Sequence, residues 1–230
     1  MLRLIKKGWL YIPKTTRLYL KVFLLVTTVS AITFGTGTFH PNKWTVGTIT
    51  KAAEDKMVKD WDSFGFLQPS IEYTNDLEFI QAVGRCIDYL NLHRPHSDRV
   101  HKYIIISMAV LETGYGKSRF AHEANNLFGI RTWDPKVPQL KPLENPDAEF
   151  GVKKYKTKCD SVQDMVDIIN RHSAYEDFRV ERAEQLESGV IDLNKQIDLL
   201  NKWSTNPDYT ELVKRKNKII KSILEEKLAK

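Results

Sequence analysis

Tyr103-Ile104-Ile105-Ile106-Ser107-Met108-Ala109-Val110-Leu111-Glu112-Thr113-Gly114-Tyr115-Gly116 is the stretch that decides the architecture. Nine consecutive residues are apolar or small, and the run continues the helical pattern from about Arg99 to Glu112. A helix that is apolar almost all round has no solvent face, so it belongs inside a domain with other elements packed on every side. Gly114 and Gly116 end it. Glu112 is the one ionisable side chain after Tyr103 in a stretch that otherwise reads as core.

The flanking sequence is also helical. From Asn75 to Leu92, Leu77, Phe79, Ile80, Val83, Ile87 and Leu90 recur near a period of 3.6, and the pattern stops before His93-Arg94-Pro95. A short helix is expected over 118–124. Between Gly129 and Thr157 stand four prolines, and Phe150–Tyr155 has strand character, so this segment reads as a small β-lobe or long loop. Helices resume with Asp160 or Ser161 as N-cap, over 161–172, 175–187, 191–203 and 208–227. The expected fold is mainly α with a small β-lobe or hairpin insertion, in one domain over 75–230.

Charge divides the chain differently. Residues 1–50 carry Arg3, Lys6, Lys7, Lys14, Arg17, Lys21 and Lys43 and no Asp or Glu. Removing those seven from the 35 Lys and Arg of the whole chain leaves 28 basic against 29 acidic residues. The net charge of +6 is therefore an N-terminal property, and the near-neutral remainder argues against a nucleic-acid partner. No charge occurs between Lys21 and Lys43, and Leu18–Phe39 just reaches the length needed to span a bilayer. Residues 1–42 read as a basic cytoplasmic lead and a signal-anchor, with a membrane as partner and the rest of the chain outside the cytoplasm. A cleaved signal peptide is the alternative, with Val29-Ser30-Ala31 or Gly35-Thr36-Gly37 as cleavage sites. Residues 43–74 read as a linker with a short helix near Lys51–Trp61.

Metal and cofactor chemistry find no foothold. His93, His96 and His101 are interrupted by Pro95 and have no Cys or Glu beside them, so no metal site and no cofactor is expected. Cys86 and Cys159 are open to two readings: one bridge in an exported domain, or two separate buried thiols. Glu112 offers more. Burial disfavours its carboxylate, and the negative end of a helix disfavours it further. A carboxylic acid still protonated near neutral pH can donate to a leaving oxygen.

The string Glu112-Thr113-Gly114-Tyr115-Gly116-Lys117-Ser118, followed by Asn125-Asn126-Leu127-Phe128-Gly129, resembles the signature of the glucosaminidase family of peptidoglycan hydrolases. Asn170-Arg171-His172-Ser173-Ala174-Tyr175 with Phe178-Arg179 and Arg182-Ala183 is similar to a bacterial Bax-type subgroup. Trp203-Ser204-Thr205-Asn206-Pro207-Asp208-Tyr209 resembles a string of flagellum-associated members. The resemblance runs from about Asn75 to Ile223. It implies a lysozyme-like fold and a hydrolase of the β-1,4 glycan bond of peptidoglycan, of N-acetylglucosaminidase type. It implies Glu112 as the acid and Tyr209 beside it.

The family's second acid, placed after a Thr-rich strand, has no clear counterpart. Glu144 is the candidate, with Asp147 and Glu149 as rivals. A lobe carboxylate standing ~6.5–9.5 Å or more from Glu112 would activate water and invert the configuration; without one, the substrate's own acetamide serves as nucleophile, oriented by Tyr209. Tyr115, Trp133, Tyr175 and Trp203 are candidate sugar-binding aromatics. Asn126 is a candidate substrate contact whose more ordinary role is to brace its loop. A muramidase or lytic transglycosylase, and a non-catalytic wall-binding protein, are the competing functions.

Overall fold

The computed structural model describes residues 13–39, 43–65 and 67–228. Arg3, Lys6 and Lys7 of the expected basic lead lie outside the described residues. The chain divides into two compact units, one up to Ala53 and one from Glu54 onward.

In the first unit, α1 spans Lys14–Phe39, longer than the apolar run alone. Its window Lys14–Phe34 is long and apolar enough to cross a membrane. Three threonines in its apolar part do not leave free hydroxyls. Thr27 donates to the Phe23 carbonyl at 2.9 Å, Thr28 to Leu24 at 2.7 Å and Thr33 to Val29 at 2.9 Å. Internal satisfaction of this kind lets a Thr-rich helix enter hydrocarbon. Where a linker with a short helix was expected, α2 runs continuously over Lys43–Ser63. The chain there carries no proline or helix-stopping cluster, and a lone Gly47 does not break a helix.

The second unit is mainly α. Its elements are α3 (Asp76–Leu92), α4 (Lys102–Thr113), α5 (Arg119–Glu123), β1 (Arg131–Thr132), β2 (Gln139–Leu140), β3 (Gly151–Lys153), α6 (Lys158–Arg171), α7 (Glu176–Ser188), α8 (Leu193–Asp198) and α9 (Tyr209–Leu228). The central helix α4 buries every residue from Ile104 to Val110 and packs against α9 and α3. The one polar residue within that run, Ser107, donates to the Tyr103 carbonyl at 2.5 Å, so its hydroxyl is not stranded. The strands form one antiparallel sheet in the order β1-β3-β2, with Arg131 opposite Val152 and Gln139 opposite Lys153. This is a mainly α, lysozyme-like arrangement with a small β-lobe.

Caps explain where the helices differ from the sequence-based bounds. Asn75 caps α3 by accepting from Glu78 N at 2.9 Å. The helix α6 starts earlier than Asp160 or Ser161 would give. Thr157 is its N-cap, and Asp160 closes a reciprocal capping box with it. Ser161 is instead buried, donating to the Lys158 carbonyl at 2.7 Å and accepting from Leu127 N at 3.3 Å. The expected helix over 191–203 shrinks to α8, capped by Asp192, and gives way to turns up to Trp203.

Two cross-links hold the lobe and helices in register. Cys86 of α3 and Cys159 of α6 are joined by a disulfide, with Cα atoms 5.8 Å apart and 73 residues between them in sequence. This resolves the open reading of the two cysteines in favour of the bridge. Asn126, fully buried, is the second. Its Nδ2 donates to the carbonyls of Ile130 (3.0 Å) and Lys153 (2.9 Å), while its Oδ1 accepts from Phe128 N (3.1 Å) and Ile130 N (3.2 Å). One side chain thus ties the turn after α5 to β3.

Two expected outcomes follow from these cross-links. Replacing both cysteines by Ala removes a loop closure that stabilises by about 2–4 kcal/mol. In calorimetry Tm should fall by about 5–15 °C at this size, and an unchanged Tm would deny the bridge. Asn126→Ala removes four hydrogen bonds to the backbone, of which only the one to the Ile130 carbonyl has a stand-in, Lys153 N at 2.8 Å, and should cost about 3 kcal/mol or more of unfolding free energy in denaturant titration. A loss of substrate affinity at unaltered stability would make Asn126 a ligand contact instead.

Candidate active site

Glu112 is the penultimate residue of α4. The turn after it is built residue by residue from the motif. Thr113 Oγ1 donates to the Ala109 carbonyl at 2.5 Å and accepts from Gly116 N at 2.7 Å. Gly114, Tyr115 and Gly116 then all take positive φ, at 58°, 63° and 79°. Three left-handed residues in a row reverse the chain, and flanking glycines keep the strain to Tyr115 alone. Gly116 is required for space as well, because a Cβ there would run into the rings of Tyr73 and Phe79. Tyr73 locks the turn by donating to the Gly116 carbonyl at 2.8 Å. Ser118 caps α5 by accepting from Ala121 N at 3.2 Å.

Two cavities flank Glu112. One, of about 350 Å³, lies toward the β-lobe and is lined by Phe120, Pro142, Phe150 and Val152 among others. The other, of about 450 Å³, is lined by Phe128, Trp133, Tyr175, Trp203 and Thr205 among others. Glu112, Gly129 and Arg131 border both. Glu112 is therefore the point where the two halves of one cleft meet. It is also the single carboxylate among the described residues lining either half.

Burial holds the Glu112 carboxyl above the ordinary range, and hydrogen bonds from Tyr209 and Trp203 pull it part of the way back. Tyr209 is 4% exposed and opens α9. The preceding string folds as a tight turn, with Asp208 N donating to Asn206 Oδ1 at 3.0 Å and Tyr209 N to the Asn206 carbonyl at 3.1 Å. Burial, and then the charge of Glu112, push the Tyr209 hydroxyl upward, so it stays a donor at any working pH. Apart from Glu112, the buried Tyr209 oxygen has no hydrogen-bond partner among the described residues. Tyr175, whose hydroxyl burial pushes up to about 12, lies close behind and stands 6.4 Å from the Trp203 ring.

The candidates read from sequence separate into groups. Glu112, Tyr209, Tyr175 and Trp203 come together. Trp133 is 64% exposed, borders the larger cavity and tilts against Phe150 at 6.0 Å. Asn126 reaches the smaller cavity, but its hydrogen-bonding capacity is taken by the backbone. Tyr115 borders neither cavity and lies between Lys117 and Lys216, at 5.8 and 5.5 Å from its ring centroid. Glu144, Asp147 and Glu149 are exposed and border neither half of the cleft.

Sequence reasoning missed Arg131 and Phe150. The Arg131 guanidinium lies 4.4 Å from the Phe150 ring centroid and is the one cation among the described residues on the cleft lining. Arg131 stands two residues after the Asn-Asn-Leu-Phe-Gly string, and that position was the available signal.

Comparison with known proteins follows the same lines. The model of the glucosaminidase family, described as mannosyl-glycoprotein endo-beta-N-acetylglucosaminidase, matches residues 96–225. Protein bax of Escherichia coli (strain K12) is similar, 30% identical over 87 residues that make up 38% of this chain and 30% of that protein. The chain thus matches under a third of that relative's length. No solved structure gives a significant match. The family match spans more than half of the 230 residues and takes in Glu112, Arg131 and Tyr209: the chain belongs to the glucosaminidase family of glycoside hydrolases.

Proposed function

We propose that this protein cleaves the β-1,4 bond of peptidoglycan glycan strands on the N-acetylglucosamine side, with Glu112 as general acid. The observation that carries the reading is a partly buried carboxyl with an upward-shifted pKa at the junction of two cavities whose walls mix aromatic and polar side chains. A cleft that continues on both sides of the acid suits attack within a polymer rather than at its end. Trp133, Trp203 and Phe150 supply flat faces for pyranose rings, and Arg131 supplies a charge for the carboxylates that such a strand carries.

With no second carboxylate bordering the cleft, the substrate's acetamide is the nucleophile in this reading. Glu112 protonates the glycosidic oxygen as the C–O bond breaks. The acetamide oxygen bonds to the anomeric carbon in the same step. Glu112, now a carboxylate, takes a proton from the water that opens this ring, and the configuration is retained. Tyr209 lies behind Glu112 rather than on the cleft lining, so its task here is to orient the acid and stabilise its charged form. Glu144, expected as a second acid, has only an indirect role on this account.

The same reading makes residues 1–42 a signal-anchor, residues 43–74 a linker and residues 75–230 the catalytic domain outside the cytoplasm. The disulfide fits an oxidising compartment. Full-length protein should stay with membranes through an alkaline wash. A mature N-terminus near Ile32 or Thr38 would make the segment a cleaved signal instead.

Glu112→Gln keeps the shape and removes the proton. Clearing of a peptidoglycan gel should fall by roughly 10²–10⁴-fold. The stability effect has the opposite sign. A carboxyl with a raised folded-state pKa loses stability as pH climbs from the ordinary Glu range through the raised value. Gln carries no such loss, so the variant should unfold at the same or a higher temperature at neutral pH. Tyr209→Phe removes a donor that lowers the Glu112 pKa. The alkaline limb of the kcat profile should therefore move to higher pH while the maximum falls, at little change in KM. Near wild-type clearing by Glu112→Gln would end the assignment.

A further inference from the structure

Charged side chains are almost never fully buried unless they are paired. Arg182, on α7, is 5% exposed. Its Nη1 donates one long hydrogen bond, 3.5 Å to the Arg99 carbonyl, and its guanidinium stands 5.6 Å from the Phe178 ring centroid. Its Nε has no partner. Asp98 attracts it without forming an ion pair, and Arg179 repels it. Neighbouring Glu181 is engaged elsewhere, with Lys195 at 2.7 Å and Gln185 at 2.7 Å.

A cavity of about 500 Å³ opens on Arg182, and it shares no lining residue with the cleft at Glu112. Arg99, His101 and Lys102 are also on its wall. Its one carboxylate, Asp88, is taken by Lys102 at 3.0 Å. Among the described residues, the wall thus carries no carboxylate left over for Arg182 and Arg99. Asn91, on the same wall, has a buried Oδ1 with no donor. Its other amide atom is engaged, donating to the Val100 carbonyl at 3.3 Å. Gln196 Nε2 donates to Gln185 Oε1 at 2.8 Å. Leu186 and Ile191 add an apolar side to the opening.

One donor group lacks an acceptor and one acceptor lacks a donor, in the same cavity. Sulfate or chloride answers the first need and offers nothing to the second. A carboxylate next to an amide N–H answers both. We propose that this cavity is a second binding site, taking the carboxyl-terminal end of a short peptide. Arg182 and Arg99 hold the carboxylate, Asn91 accepts from the peptide N–H, and a small alkyl side chain rests on Leu186 and Ile191. That the peptide is a wall stem rests on the function proposed above; the existence of the site does not.

The test is calorimetric titration of the full-length protein in detergent micelles at fixed ionic strength. The probes are N-acetyl-D-alanyl-D-alanine, its L,L isomer, its C-terminal amide and inorganic phosphate. Saturable binding of a free-carboxylate dipeptide is expected, with the amide and phosphate each weaker by about tenfold or more, as for loss of a hydrogen bond to a charged group. Preference for the D,D over the L,L isomer marks a wall stem as the source; the reverse preference marks an ordinary peptide terminus. Arg182→Lys should weaken the dipeptide by a similar factor.

Because a change at a buried guanidinium can unfold the domain, Arg99→Gln, at a partly exposed position, tests the same point and should also weaken it. Glu112→Gln should bind as the parent does. Equal binding of acid and amide, phosphate as tight as the dipeptide, no saturable binding, or parental affinity in both arginine variants would each overturn the proposal. A protein that binds the dipeptide yet leaves peptidoglycan uncut keeps this site and loses the proposed function; a protein that cuts without binding does the reverse.

Discussion

Burial of α4 on all sides sets the conditions for everything at the cleft. Ile104 to Val110 are enclosed by α3 and α9, so the helix has one direction in which to emerge, its C-terminal end. Glu112 stands at that end, where the surroundings are apolar and the unpaired helix carbonyls are negative. A carboxyl placed there resists ionisation before any substrate arrives. The turn that follows is the cost of stopping a buried helix abruptly. Gly114 and Gly116 supply left-handed backbone, Thr113 closes the turn, and Tyr73 bonds it from outside the helix. The residues of the motif beyond Glu112 are thus mostly about holding the acid still.

The β-lobe has the complementary task. Its three strands are only two or three residues long and could not stand alone. Asn126 ties them to the turn after α5, and the Cys86–Cys159 bridge fixes the helices beneath. Arg131 and Phe150 then reach the cleft from a lobe whose position is determined by these cross-links. Behind the acid, Tyr209 is placed by the Asn206–Asp208 turn at the start of α9. Acid, lobe and tyrosine come from three separate parts of the chain, each fixed by local hydrogen bonding.

The parts legible in the sequence are those with a strong local signal. An apolar run of nine residues, a 3.6-residue period over α3 and a Gly-x-Gly stop name α3 and α4 without reference to the rest of the chain. Glu112 stood out because it was the one charge in that run. Trp203 and Tyr209 were found through a resembling string, not through periodicity. The lobe was harder. Strands of two residues have no alternation to read, so one strand was expected where three pair. Arg131 looked like any surface cation, since its value depends on Phe150, which is nineteen positions away. The bridge was undecidable because 73 residues of separation say nothing about a 5.8 Å approach. Glu144 was chosen for its place in the lobe and Tyr115 as an aromatic within the motif, and neither borders the cleft.

The central claim concerns one bond and one acid, and the products of digestion report both. Purified peptidoglycan should be incubated with the full-length protein and the released fragments analysed by mass spectrometry. The account predicts fragments that have gained one water and end in a new reducing N-acetylglucosamine, and no such fragments from Glu112→Gln. Anhydro fragments without the added water, N-acetylmuramic acid at the new reducing end, or the same products from the Glu112→Gln protein would contradict it.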